Sequence, residues 1–151
     1  MRHLFLTAIV IVSTASLTAA PPRSFAVGGG EQVYAGGVKH FSISAHNGPN
    51  GASGHVVFTQ QDAAFGDFTL SGHVSCVNVA GNSAAIGVTI EQGTGTAEGQ
   101  QGILIFVTDN GNGGSGTPDS LTNSGYLPVG DVCPAPFNAV TPITSGNINV
   151  K

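Results

Sequence analysis

The segment from Gly66 to Glu91, GDFTLSGHVSCVNVAGNSAAIGVTIE, decides the fold. Its pattern is typical of two long β-strands, Phe68 to Val79 and Ser83 to Ile90, with a tight turn between them. Gly81 and Asn82 lie in that turn, and both residue types supply the positive φ angles that hairpin turns use. The second strand alternates apolar residues with small or polar ones, which is the period of a half-buried strand. The segment therefore predicts a central β-hairpin.

The first strand of this hairpin changes parity near its middle. Apolar residues share one face as far as Cys76, whereas Val77 and Val79 lie on opposite parity. A β-bulge near Cys76 explains the switch, because a bulge adds one residue to one strand of a pair. The alternative explanation for the change in parity is that both faces of this strand are partly covered by other parts of the chain.

Further strands are predicted on both sides of the hairpin. Val38 to Ala45 and Gly54 to Thr59 form a second hairpin, and Gly102 to Thr108 (GILIFVT) is typical of a strand buried on both sides. Leu121 to Val129 and Pro134 to Ile143 contain prolines, which favours edge strands or irregular structure. With a short last strand after residue 145, the chain has seven to nine short strands.

This pattern predicts an all-β fold without helices in the mature chain. The expected architecture is a two-sheet sandwich of Greek-key or jelly-roll type, and a closed barrel is the alternative. The length of 151 residues fits one domain, which we expect over residues 27–151.

The N-terminus has the layout of a secretory signal peptide. A short positive start precedes the apolar run Leu4 to Val12, and small residues follow as far as Ala20. We expect residues 1–20 to be the signal peptide, with Ala26 as the latest alternative cleavage point. The run is short for a membrane anchor, so the mature chain is expected to contain no membrane span and to be secreted, extracellular or part of the cell envelope.

Export makes the two cysteines informative. An even number of cysteines in an oxidising compartment favours a disulfide between Cys76 and Cys133. Their spacing fits no CxxC metal or redox motif. Two free thiols are the alternative.

Composition excludes several classes of partner. Only 8% of residues are charged, four residues are basic, and the formal net charge is -4. The basic surface of a nucleic-acid-binding protein is therefore absent, and so is a polybasic patch for anionic lipids. An extracellular or cell-surface partner of unknown identity remains.

Several short segments, in this order, resemble one family: Gly28-Gly29-Gly30, Phe41-Ser42-Ile43-Ser44-Ala45, Ser53-Gly54-His55-Val56, Gly81-Asn82-Ser83-Ala84, Val107-Thr108-Asp109-Asn110-Gly111 with Asp119, and Gly146-Asn147-Ile148-Asn149-Val150. The set resembles the post-COAP domain family of secreted bacterial β-modules, and also single-domain exported bacterial proteins. This resemblance covers nearly the whole mature chain. It implies an extracellular β-sandwich that acts as an accessory module, and it implies no catalytic residues.

Three histidines are candidate metal ligands. His46, His55 and His73 would form a zinc or copper site if their strands were neighbours. The chain contains no HExxH or His-x-His motif, so solvent-facing histidines explain the pattern equally well.

The loop after Thr108 is rich in oxygen ligands. Asp109, Asn110, Asn112 and Asp119 are calcium candidates, although EF-hand spacing is absent. An ordinary β-turn is the competing interpretation.

Nothing in the sequence selects a nucleophile or a catalytic carboxylate pair. We therefore expect no cofactor and no enzyme, but an exported binding, adhesion, envelope or matrix module. A small metal-dependent secreted enzyme and a calcium-stabilised module are the alternatives.

Overall fold

The structure, a computed structural model, describes residues 23–64, 66–111, 116–130 and 132–151. The predicted signal peptide lies outside these residues. The described chain is all-β, as predicted, and its eight strands fall within the expected number: β1 (Ser24–Tyr34), β2 (Gly37–Gly48), β3 (Gly51–Asp62), β4 (Phe68–Ala80), β5 (Ser83–Gly95), β6 (Gly102–Thr108), β7 (Ser120–Tyr126) and β8 (Ser145–Val150). Within these residues, no helix is long and apolar enough to cross a membrane.

All eight strands belong to one antiparallel sheet in the order β7-β6-β5-β4-β3-β2-β1-β8. The sequence predicted two sheets of short strands, whereas β1 to β5 each span 11 to 13 residues. The inner face supplies apolar side chains from every strand to one core cluster, so the sheet curls around its own core. Long strands explain the difference, because strand twist accumulates along them and lets one sheet enclose a core.

Glycines permit the close contact between β1 and β8. A Cβ at Gly28 would collide with the carbonyl oxygen of Asn147, and one at Gly30 would collide with that of Ser145. Gly146 has a φ of +101°, which other residues rarely adopt. The Gly28-Gly29-Gly30 run is therefore part of a continuous strand, where absent side chains let two backbones approach.

The central hairpin agrees closely with its prediction. Ala80 pairs with Ser83 across a two-residue turn, in which Gly81 has a φ of +61°. Asn82, also expected at positive φ, does not adopt it. The register of β4 against β5 shifts between Val74 and Cys76, which confirms the predicted bulge.

The segment that follows β7 covers the outer face of β4 to β6. We call this segment, residues 127–130 and 132–140, the strap. Its Cys133 is bonded to Cys76 with an S–S distance of 2.11 Å, so the predicted pairing is present. Phe106 and Phe137 stack with ring centroids 4.0 Å apart. Because of this cover, β6 is buried on both faces, as its sequence predicted.

Candidate functional site

A row of polar side chains crosses one end of the inner face of the sheet. The register of β1, β2 and β3 places Gln32 opposite Lys39, and Lys39 opposite Gln60. Strand parity puts Lys39 on the same face as Phe41 and Ile43, which belong to the core. The core therefore gives way to polar groups at this end.

A second row lies beside the first. Tyr34 pairs with Gly37, and Gly37 pairs with Asp62. A Cβ on Gly37 would lie 3.2 Å from the Tyr34 ring and would collide with a carbonyl oxygen of β3. Glycine at this position therefore lets the tyrosine ring and the aspartate share the end of the sheet.

Strand β7 completes the site from the other edge of the sheet. Gln32 Nε2 donates to the carbonyl oxygens of Leu121 and Thr141, at 2.8 and 2.9 Å. Lys39 Nζ donates to Asn123 Oδ1 at 2.5 Å and lies 5.7 Å from the centroid of the Phe58 ring. These bonds join β1 and β2 to β7, and to Thr141 after the strap, across the interior of the curled sheet.

The side chains line an open pocket of about 260 Å³. We call it the polar pocket, and its principal polar lining is Gln32, Tyr34, Lys39, Gln60, Asp62 and Asn123. It lies just below the size range of typical small-molecule sites, roughly 300 to 1,000 Å³. The pocket therefore suits a small ligand with many hydrogen-bonding groups.

Two opposite charges are buried at this pocket. Lys39 is 8% exposed and Asp62 is 4% exposed. The Asp62 carboxylate accepts the backbone N–H of Ala64 at 2.8 Å and a 3.4 Å bond from Gln60 Nε2. Burial lowers the pKa of Lys39 to about 8, and the negative charge of Asp62 offsets part of that shift.

The Tyr34 hydroxyl is also buried, and it lies beside the Asp62 carboxylate. Burial raises the pKa of Tyr34 to about 12, and the neighbouring Asp62 carboxylate adds to the shift. The hydroxyl therefore stays protonated at neutral pH and can donate a hydrogen bond to a ligand.

Sequence reasoning missed the polar pocket. The available signal was parity, because Lys39 alternates in phase with Phe41, Ile43 and Ala45, which places a charged residue on a buried face. The strand pairing that joins Lys39 to Gln32 and Gln60 is not visible in sequence, nor is the approach of Asn123 from β7.

The structure brings together two of the three predicted histidines. His55 and His73 are directly opposite each other on β3 and β4. Glu91 lies 3.8 Å from His55 Nε2 and 3.3 Å from His73 Nδ1, and all three side chains are about half exposed on the outer face. The Glu91 contact was not expected from sequence.

His46 does not join this pair. Its Nε2 lies 3.2 Å from Ser44 Oγ, and its ring packs beside Phe25 with centroids 6.2 Å apart. Within the described ranges, no group of three or more His, Cys, Asp or Glu side chains is placed to hold a metal ion. The histidine metal site stays a prediction with two of its three residues adjacent.

The calcium candidates bind backbone groups. Asp119 accepts N–H groups from Asn110 at 2.8 Å and Ile148 at 2.7 Å. Asp109 accepts those of Gly111 at 2.8 Å and Val150 at 3.1 Å. The side chain of Asn110 donates to the Pro118 carbonyl oxygen at 2.8 Å, and Asn112 lies outside the described residues. These bonds give both carboxylates a structural role that requires no cation.

Fold and site together define an all-β protein with one curled, disulfide-pinned sheet and a polar pocket at its end. No family model, curated protein or solved structure matches the chain. The resemblance to the post-COAP domain family therefore stays a prediction.

Proposed function

We propose that the protein is an exported, non-catalytic binding module and that the polar pocket is its ligand site. The observation that carries this proposal is the burial of Lys39 and Asp62, which are 8% and 4% exposed, in a chain with only 8% charged residues. Burying charged groups costs free energy, and an apolar pair of similar volume commonly stabilises a fold better. Ligand binding would explain why these charged groups are buried, because folding stability alone does not favour them.

The charges of the pocket favour an uncharged polar ligand. An anion would meet the Asp62 carboxylate and a cation would meet the Lys39 ammonium, since both line the same small space. Amides from Gln32, Gln60 and Asn123 offer both donors and acceptors. A neutral, hydroxyl-rich compound about the size of one sugar ring fits this chemistry.

Export is supported by the disulfide, because such bonds persist in oxidising compartments.

Strand β1 also bears on the cleavage point. Ala26 is fully buried, and Phe25 exchanges backbone hydrogen bonds with Lys151 at 2.6 and 3.0 Å. Cleavage after Ala26 would remove both residues from the sheet, so we propose cleavage after Ala20. Intact-mass measurement of protein recovered from the medium or periplasm of an expressing bacterium tests this, and a chain beginning at residue 27 would contradict it.

Ligand-observed NMR tests the binding proposal. The probes are glucose, N-acetylglucosamine and glycerol, which represent neutral, hydroxyl-rich compounds. We expect saturation transfer to at least one probe with the unmodified protein and its loss in Lys39→Met, whose apolar side chain keeps most of the length without the charged group. His73→Gln, on the outer face, is the matched control and should retain binding. Equal transfer in Lys39→Met, or none to any probe with the unmodified protein, would overturn the proposal.

A further inference from the structure

Lys39 differs in its surroundings from the other lysine of the chain. The sequence contains two lysines, Lys39 and Lys151. Lys151 is exposed, whereas Lys39 is buried and its amine lines the polar pocket. The Nζ atom bonds to Asn123 Oδ1 and lies over the Phe58 ring. The side chain therefore presents an amine of fixed position to a space that admits a small molecule.

We propose that Lys39 is a reversible covalent capture site for small aldehydes. This inference rests on the proposed function, since it assigns a chemical class to ligands of the same pocket. The Nζ lone pair attacks the aldehyde carbon, and a C–N bond forms as the C=O π bond opens. The carbonyl oxygen then leaves as water with the two protons of the neutral amine, which gives a C=N imine.

The pocket supplies the conditions that this step needs. Only a neutral amine is nucleophilic, and desolvation is a common way to activate a lysine. Burial lowers the pKa of Lys39 to about 8, so a far larger fraction is neutral at pH 7 than for an ordinary lysine with a pKa of about 10.4. The protonated Tyr34 hydroxyl lines the same pocket, where it can donate a hydrogen bond to the carbonyl oxygen of the aldehyde.

Reductive trapping tests the proposal directly. The folded, disulfide-bonded protein is incubated at pH 7 with glycolaldehyde and sodium cyanoborohydride, whose hydride reduces the imine to a stable secondary amine. Peptide mass spectrometry then follows modification at Lys39, at Lys151 and at the α-amine. Because burial lowers the pKa of the Lys39 amine inside the pocket, we expect Lys39 to be modified at least about tenfold faster than the exposed Lys151. Modification of Lys39 at a rate equal to or below that of Lys151 would overturn the proposal.

A second variant separates reactivity from folding. Asp62→Asn removes the charge that holds the Lys39 amine protonated, so trapping at Lys39 should accelerate several-fold at pH 7 while His73→Gln leaves the rate unchanged. Far-UV circular dichroism confirms that each variant is folded. Slower trapping in a folded Asp62→Asn protein would contradict the assigned environment. If the NMR probes bind but Lys39 is not trapped, the binding module stands and the covalent step is wrong.

Discussion

The carboxylate of Asp119, the residue before β7, accepts the backbone N–H of Ile148 in β8 at 2.7 Å. The two strands are the opposite edges of the sheet. Asp109 does the same for Val150 at 3.1 Å. Alternate N–H groups of β8 thus bond to aspartate side chains where a neighbouring strand would otherwise pair with them. The two carboxylates close the curl of the sheet and protect an exposed edge from pairing with another chain.

Asp119→Ala should destabilise the protein by roughly 2–4 kcal/mol. The substitution removes charge-assisted hydrogen bonds and leaves the buried Ile148 N–H without its acceptor. Urea denaturation measures the loss, and amide hydrogen exchange at Ile148 should accelerate more than at Val88 in the middle of the sheet. Glu98→Gln, at an exposed acidic residue, is the control and should change stability little. Unchanged exchange at Ile148 would show that Asp119 does not hold the edge.

Removing divalent cations should leave the melting temperature unchanged. The oxygens of Asp109 and Asp119 already accept backbone N–H groups, so we expect neither carboxylate to need calcium to hold its position. Thermal unfolding with and without EDTA, and with added calcium, measures this. A fall of several degrees with EDTA, reversed by calcium, would restore the calcium-stabilised alternative, because a bound ion raises stability by mass action.

The sequence was informative wherever structure is local. The central hairpin, the bulge near Cys76 and the doubly buried β6 follow from parity and turn residues within short segments. The curl of the sheet is not local, because it depends on β8 reaching β1 more than 100 residues earlier in the chain.

The candidate site shows the same limit. The sequence indicates Asp109 and Asp119 as oxygen ligands, but the β8 N–H groups that they bind, 41 and 29 residues away, cannot be identified from spacing. The parity of Lys39 in its strand indicates that this residue is buried. Its bond to Asn123 cannot be predicted from the sequence, because the two residues are 84 positions apart. A sequence pattern can therefore locate a buried polar residue without revealing the pocket that it lines.

Gly28→Ala should destabilise the protein, whereas Gly48→Ala should not. A Cβ at Gly28 would collide with the backbone of β8, whereas one at Gly48 would meet open space. Because strand backbones cannot yield as a flexible side chain does, we expect a loss of about 2–3 kcal/mol for Gly28→Ala. The matched change at Gly48 should remain within about 0.5 kcal/mol. Chemical denaturation compares the two, and equal stabilities would refute the close packing of β1 and β8.

Removing the disulfide should release the strap and lower stability. The bond joins residues 57 positions apart, and a loop of that length contributes about 4 kcal/mol on the chain-entropy model. We expect the double variant Cys76→Ala/Cys133→Ala to retain β-structure but to be cut by proteases within the strap. Ser75→Ala, which removes only a 3.3 Å bond to Gly130, is the control and should remain resistant. Protease resistance of the double variant would show that packing of Phe137 on Phe106 holds the strap unaided.

The stability of the unmodified protein should rise between pH 8 and pH 10 because of Lys39. Its pKa is about 8 when folded, against about 10.4 for an ordinary lysine. In this window the unfolded state binds more protons than the folded state, so the free energy of unfolding increases with pH. The expected gain is roughly 2 kcal/mol. Tyr34 acts in the opposite direction above pH 10, because its raised pKa of about 12 keeps the folded state protonated after the unfolded chain has ionised.

Urea denaturation at half-unit steps from pH 7.5 to pH 10 measures this dependence. Lys39→Met is the matched comparison, since the variant retains Tyr34 and Asp62 but cannot titrate at position 39. We expect the difference in unfolding free energy between the two proteins to change by roughly 2 kcal/mol across the window. Parallel curves would mean that Lys39 keeps an ordinary pKa in the folded state, and the amine would then lose the activation that aldehyde capture requires.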